Sequence, residues 1–200
     1  MEESVWKQCT PILLNALERR GQSNTDVRIA WGREAMYLFF TCADPDVWGT
    51  LSEHDGKLWE EEVVEAFIDA DNDGLDYVEI EVSPRNVTFD AWITRFPPTR
   101  EEIPIFARYE AVGMRTAVVV HGTLEDRSDR DEGWDCEIAI PWSAFEETGG
   151  RPPKAGSAWS GNFFRCDLSH GQGEYQAWIP VRGSFHQPDR FGNIVFSGGN

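Results

Sequence analysis

The sequence predicts an all-β protein, an antiparallel β-sandwich of jelly-roll type with little helix. Three observations carry this reading. The dominant hydrophobic period is two, ten short runs rich in β-branched and aromatic residues follow one another, and Gly, Pro, Asn or Asp stand between them. Period two sends successive side chains to opposite sides of a strand, and many short strands of this kind bury their apolar sides by packing two sheets together. Helix is expected in fewer than about a fifth of residues, against a usual third.

Taken in order, Ile12 to Arg20 fits either a short helix or a strand. The runs VRIAW (27–31), MYLFFTCA (36–43), VVEAFID (63–69), YVEIEV (77–82) and VTFDAWIT (87–94) then read as strands, as do MRTAVVV (114–120) and WDCEIAI (134–140). Trp142 to Glu147 follows Pro141 and suits a single helical turn. GNFFRCD (161–167), YQAWIP (175–180) and NIVF (193–196) complete the set. EDRSDRDEG (125–133) reads as a charged hairpin loop and TGGRPPKAG (148–156) as a Gly/Pro connection. With no internal repeat and no dividing linker, one domain over residues 1–200 is expected, long enough to bury about two-thirds of its unfolded surface.

A net charge of −17 and a pI near 4.5 make phosphate backbones and anionic membranes poor partners, because such binding draws on Lys and Arg. The acidity fits a strongly solvated surface or cation binding equally well. Cys9, Cys42, Cys136 and Cys166 form no CxxC pair, which excludes a zinc ribbon or thioredoxin motif. They read as small buried apolar residues, with one disulfide as the alternative. The first twenty residues start acidic and carry no signal-like apolar run with a cleavage site.

Alternation also assigns faces. In 77–82, Val78, Ile80 and Val82 share the core side, leaving Tyr77, Glu79 and Glu81 on the other. In 63–69, Glu65 lies with Val63, Phe67 and Asp69, so a carboxylate sits on a strand built for burial and needs partners. Phe163, Arg165 and Asp167 fall together. If these strands are neighbours, one face carries Glu65, Glu79, Glu81, Asp90, Trp92 and Arg165. Carboxylates, a guanidinium and an indole suit sugar recognition, where rings stack on the C–H face of a pyranose and planar polar groups bridge hydroxyls. An ordinary solvated sheet face with ion pairs is the alternative. Trp59, in the polar stretch HDGKLWEEE, and Phe185, between two Gly-containing turns, are large rings without obvious apolar neighbours. Each suits either a ligand wall or the cover of a core edge.

The stretch LWEEEVVEAFIDADNDGLDYVEIEVSP, the later EIAIPWSAF and the closing SFHQPDRFGNIVF resemble the family 9 carbohydrate-binding modules and their stand-alone relatives. The patterns are a signature of the W-x-x-D-x-V-E-x-F-x-D type, with Glu62 in place of its first aspartate, and a terminal P-x-x-F-G-N, in the family's order from about Val27 onward. The resemblance implies non-catalytic binding of a mono- or disaccharide, or a glycan chain end, clamped between two aromatic rings. Trp59 matches the first clamp residue, and Phe185 stands where the second is a tryptophan. Glu65 matches the glutamate that hydrogen-bonds the sugar. Glu79 and Glu81 stand where those modules carry arginine and asparagine, and Phe163, Phe164 and Arg165 occupy the strand that supplies a glutamine, as if charges were exchanged between strands. A secreted or cell-envelope location is implied too, and a monomer is expected.

Asp69, Asp71, Asp73 and Gly74 spell D-x-D-x-D-G, an oxygen-rich opening suited to calcium, with Asp76 and Glu79 available to complete it. The twelfth position is Ile80 rather than glutamate and the flanks are strands, so an EF-hand is rejected. An acidic turn and a structural Ca2+ both remain open, and the resemblance adds to the second. A haem site would need Met36 or Met114 to converge with His121, His170 or His186, and no spacing favours it. Glycoside hydrolysis needs two carboxylates about 5–10 Å apart, a distance that Glu79 and Glu81 are able to meet, but no hydrolase motif accompanies them.

Overall fold

A computed structural model describes residues 3–17, 24–99, 101–169 and 173–198. It consists of two antiparallel sheets, with 39% of residues in strands and 10% in helix, within the helix limit expected from sequence. All ten expected strands form. The first sheet orders β1 (Ile12–Leu13), β3 (Thr25–Trp31), β4 (Ala35–Ala43), β9 (Gly133–Pro141) and β8 (Arg115–His121) as β1-β3-β4-β9-β8. The second contains β2 (Asn15–Ala16), β11 (Glu174–Ala177), β10 (Ala158–Asp167), β5 (Val63–Asp69), β6 (Tyr77–Val82) and β7 (Thr88–Ile93), ordered β2-β11-β10-β5-β6-β7. The last strand, β12 (Gly192–Val195), pairs with the start of β10, whose end pairs with β11. Of the ambiguous segment from Ile12 to Arg20, the described part is strand: β1 and β2 join different sheets on either side of buried Leu14.

Helix is confined to single turns. Glu3–Trp6 and Ile103–Phe106 each form one, and Trp142–Phe145 winds into a 3-10 turn after Pro141, as the sequence suggests. The charged loop before β9 does close a β8–β9 hairpin, fastened by Asp131, whose carboxylate accepts from the amides of Val47 and Thr123.

Between the sheets lies the main core. Leu38, Phe40, Trp134 and Ile138 from the first sheet meet Val64, Ile80 and Phe163 from the second, all with no measurable exposure. Each such side chain contributes about 1.5–3 kcal/mol by leaving water. The two sheets then differ. β4 and β9 alternate buried and half-buried residues, whereas β5 and β6 are buried at every position. The second sheet therefore has a covered outer face, where Phe67, Tyr77, Phe89 and Phe164 form a second cluster under the loops. A solvated outer face, one of the two sequence expectations, is thus replaced by a roofed one. The closing motif helps to hold the roof: Phe191 stands edge-on against Tyr77 at 5.2 Å and 72°.

Candidate functional site

The register of the second sheet decides which residues meet. Glu65 pairs directly with Glu81, and Phe67 with Glu79, so the three glutamates share the outer face of β5 and β6. Phe164 lies across from Glu65 on the other side, which puts Phe164 and Cys166 on that face as well. These residues form the floor of a cavity of about 650 Å3. Its walls come from loops: Trp59 from a 3-10 turn at Leu58–Glu60, and Arg182, Phe185 and His186 from the segment after β11. Each wall ring is backed by another. Trp59 stands edge-on against Phe89 at 5.4 Å and 83°, and Phe185 lies flat on Phe164 at 4.2 Å and 8°. Both are half-buried, with one side left to the cavity.

Of the residues singled out in the sequence, Trp59, Glu65, Glu79, Glu81 and Phe185 come together here. Arg165 does not. It pairs with Val64, a core residue, so it points between the sheets and away from the glutamates. There it is fully buried with Asp44 (2.5 Å), Glu62 (3.3 Å) and Asp167 (3.5 Å), its guanidinium 5.5 Å from the Trp134 ring. The expected exchange of charge between strands therefore fails on the cavity face, because Arg165 and Glu65 have opposite parity in the β5–β10 ladder. Asp90 and Trp92 are misassigned for the same reason. They pair with Ile80 and Val78, while Phe89, Ala91 and Ile93 take the cavity side.

The glutamates are 1–5% exposed, and their carboxylate oxygens lie within 4.8 Å of one another. Cys166 Sγ donates to Glu65 Oε1 at 3.3 Å, whereas among the described residues no N–H or hydroxyl reaches Glu81 Oε2. Burial pushes the Glu65 carboxyl up to about 8. Burial, and then the neighbouring carboxylates, hold Glu79 and Glu81 well above the usual range. His186 supplies no counter-charge: it joins Tyr77 Oη at 2.6 Å, and burial drives its ring down to about 4. Arg182 is exposed at the rim, and among the described residues no ion pair connects it to the glutamates.

Asp69, Asp71 and Asp73 also bring oxygens within 4.8 Å of one another, on the turn after β5. Buried Asp69 accepts from the amides of Asn72 (2.7 Å) and Gly74 (2.9 Å) and from Ser160 Oγ (3.2 Å), with Asn72 and Gly74 both at positive φ. The all-carboxylate donor set suits a hard divalent cation, with Asp71 and Asp73 exposed to receive it. The haem candidates share no site. Met36 and Met114 belong to the inter-sheet core, His121 pairs with Asp135 on the exposed edge strand, His186 lines the cavity, and His170 lies outside the described residues. The cysteines described are free thiols, three of them buried, as the first of the two sequence readings has it.

A sequence model described as carbohydrate-binding family 9 matches residues 13–196. An extracellular protein of Arthroderma benhamiae is 28% identical over 180 residues, spanning 86% of this chain and 78% of that one. Among solved structures, a carbohydrate-binding candidate from Bacteroides uniformis superposes with a TM-score of 0.72 at 18% identity, over 96% of this chain and 88% of the other. The family 9 module of Caldicellulosiruptor kristjanssonii, in complex with cellotriose, gives 0.69 at 16% identity over 98% and 86%. Its complex with glucose gives 0.67 at 16% identity over 100% and 90%.

Proposed function

Since the chain belongs to carbohydrate-binding family 9, we propose that its roofed cavity clamps a mono- or disaccharide, or a glycan chain end, between Trp59 and Phe185. Carbohydrate binding is the role that the family supports. The observation that carries the finer reading is that two rings from separate loops, each braced by a second ring, line the same space as three buried carboxyl groups. A volume of about 650 Å3 lies within the ordinary range for small-ligand sites. The rings would cover the C–H faces of a pyranose, and Glu65 would meet its hydroxyls.

The reading is non-catalytic, as for the family. Glycosidase carboxyl groups stand about 5–10 Å apart on either side of the scissile bond. The three glutamates here lie side by side on adjacent strands of one floor rather than on opposite walls, so they do not flank a bond. Structural Ca2+ at Asp69, Asp71 and Asp73 belongs to the same proposal, as a brace for the turn between β5 and β6.

Isothermal titration with a panel that begins with glucose and cello-oligosaccharides tests the clamp. Trp59→Ala should cost about 1–3 kcal/mol of sugar affinity, roughly 5- to 150-fold, with a nearly unchanged melting temperature. If the variant instead loses several kcal/mol of stability and binds sugar as before, Trp59 is only the cover of the Phe89 cluster.

A further inference from the structure

We propose that the cavity is built for a cationic amino sugar, with the ammonium seated among Glu65, Glu79 and Glu81. The inference rests on the reading of this cavity as a sugar clamp and adds the class of sugar.

The three carboxyl groups are nearly inaccessible yet line an open cavity, and among the described residues Glu81 Oε2 has no N–H or hydroxyl partner. Burial keeps these carboxyl groups protonated while the cavity is empty, because three carboxylates without a counter-charge would be costly there. A neutral sugar hydroxyl leaves that state as it is, whereas a cation would let the floor ionise. A primary ammonium brings three N–H donors and no acceptor. The glutamate oxygens lie within 4.8 Å of one another, close enough for one small cation to reach all three.

The protein itself supplies the precedent. Asp44, Glu62 and Asp167 converge within the same 4.8 Å on the opposite side of β10, and there a nitrogen cation, Arg165, sits among them. On the cavity side no arginine or lysine among the described residues pairs with the glutamates, the nearest basic group is His186, whose Nδ1 lies 3.8 Å from Glu79 Oε2 and which burial holds neutral, and the position opens toward ligand. Trp59 and Phe185 point to a pyranose rather than a bare ion, because rings add nothing to a hydrated metal but stack on C–H faces and lie favourably beside an ammonium.

The test is titration of the intact protein at pH 6.5 with the β-1,4-linked glucosamine dimer, its N-acetylated counterpart and cellobiose, alongside thermal melting with calcium chloride alone. The glucosamine dimer should bind about tenfold or more tightly than either neutral dimer, and Glu81→Gln should reduce that preference to within about twofold. If cellobiose binds and the glucosamine dimer binds no better, the proposal is overturned while the clamp stands. If no sugar binds, both fall. A calcium-dependent rise in melting temperature that Glu81→Gln abolishes makes the floor a metal site and also overturns the proposal. Should Glu81→Gln fail to fold, the comparison of the three dimers with the wild-type protein decides alone.

Discussion

Two groups of three carboxyl groups lie on opposite faces of one sheet, and they are completed in different ways. Between the sheets, Asp44, Glu62 and Asp167 surround Arg165, with Asp44 accepting from its Nη2 at 2.5 Å. On the outer face, Glu65, Glu79 and Glu81 are equally buried, and among the described residues their nearest basic group is His186, which burial holds neutral 3.8 Å from Glu79. Burial lifts Glu62, as it lifts Glu65, so proximity among acids is not the difference. The difference is access. The first group is sealed and must carry its counter-charge in the sequence, whereas the second opens on a cavity and can take one from a ligand. The sealed acidic group is thus paired within the chain, whereas the open one keeps its protons instead.

The sharpest way to break this comparison is to remove the internal cation. Arg165→Leu leaves Asp44 and its neighbours buried without a partner, and breaking a buried ion pair from one side costs about 3–5 kcal/mol. Urea denaturation should register that loss. Glu65→Gln on the outer face, which removes a carboxyl from the unpaired group, should cost nothing comparable at neutral pH. Equal losses at both sites would mean that the outer group is as structural as the inner one.

The next largest effect separates the groups by pH. Glu65 titrates near 8 in the folded chain against an ordinary value of 4.5, so between these values the folded state keeps a proton that the unfolded chain has released. Its contribution to stability is therefore complete below about 4.5 and is lost as pH rises through 8. Glu79 and Glu81 shift in the same direction. Tyr77 and Cys166, which face the group, are pushed up and stay protonated, and Arg182 is exposed at the rim. His186 has the opposite sign, but it is neutral in both states above its ordinary 6.5. Between pH 6.5 and 8.5 the wild-type protein should therefore lose about 1–3 kcal/mol of stability, and Glu65→Gln should lose distinctly less. Parallel pH profiles for the two proteins would remove Glu65 from the account.

Much of the fold was legible because strand residues declare themselves locally: all ten runs of β-branched and aromatic residues became strands. Trp59, Glu65 and Phe185 were legible through their place in a motif. What the alternation left open was which side of each strand faces the cavity. Arg165, Asp90 and Trp92 were placed on the wrong side because β5, β6 and β10 are buried on both faces, so apolar content does not mark the core side there. Only the register, Glu65 against Glu81 and Phe164, fixes it. Phe89 and Phe164, which back Trp59 and Phe185, were passed over for the same reason. Their signal was present in the apolar series Phe89, Ala91 and Ile93, on the opposite side of β7 from Asp90 and Trp92.

The smallest effect concerns a third acidic group, which tests whether exposure alone changes the outcome. Asp69, Asp71 and Asp73 converge as closely as the other two, but on a surface turn where water reaches two of them and backbone amides already serve the third. Little unmet demand for a counter-charge remains, so a cation here should bind weakly, in the range of about 0.1–1 mM found for extracellular calcium modules. A ligand that binds only the folded chain adds RT ln(1 + [L]/Kd), about 1.4 kcal/mol at ten times Kd. For a chain of this length that is a rise of about 3–6 °C in melting temperature. Adding about 5 mM calcium after chelation should produce such a shift, and Asp71→Asn with Asp73→Asn should cancel it, while leaving the turn that Asp69 holds in place. A melting curve indifferent to calcium would assign the run to the turn alone. A shift that survives the double substitution but disappears in Glu81→Gln would move the cation to the cavity floor.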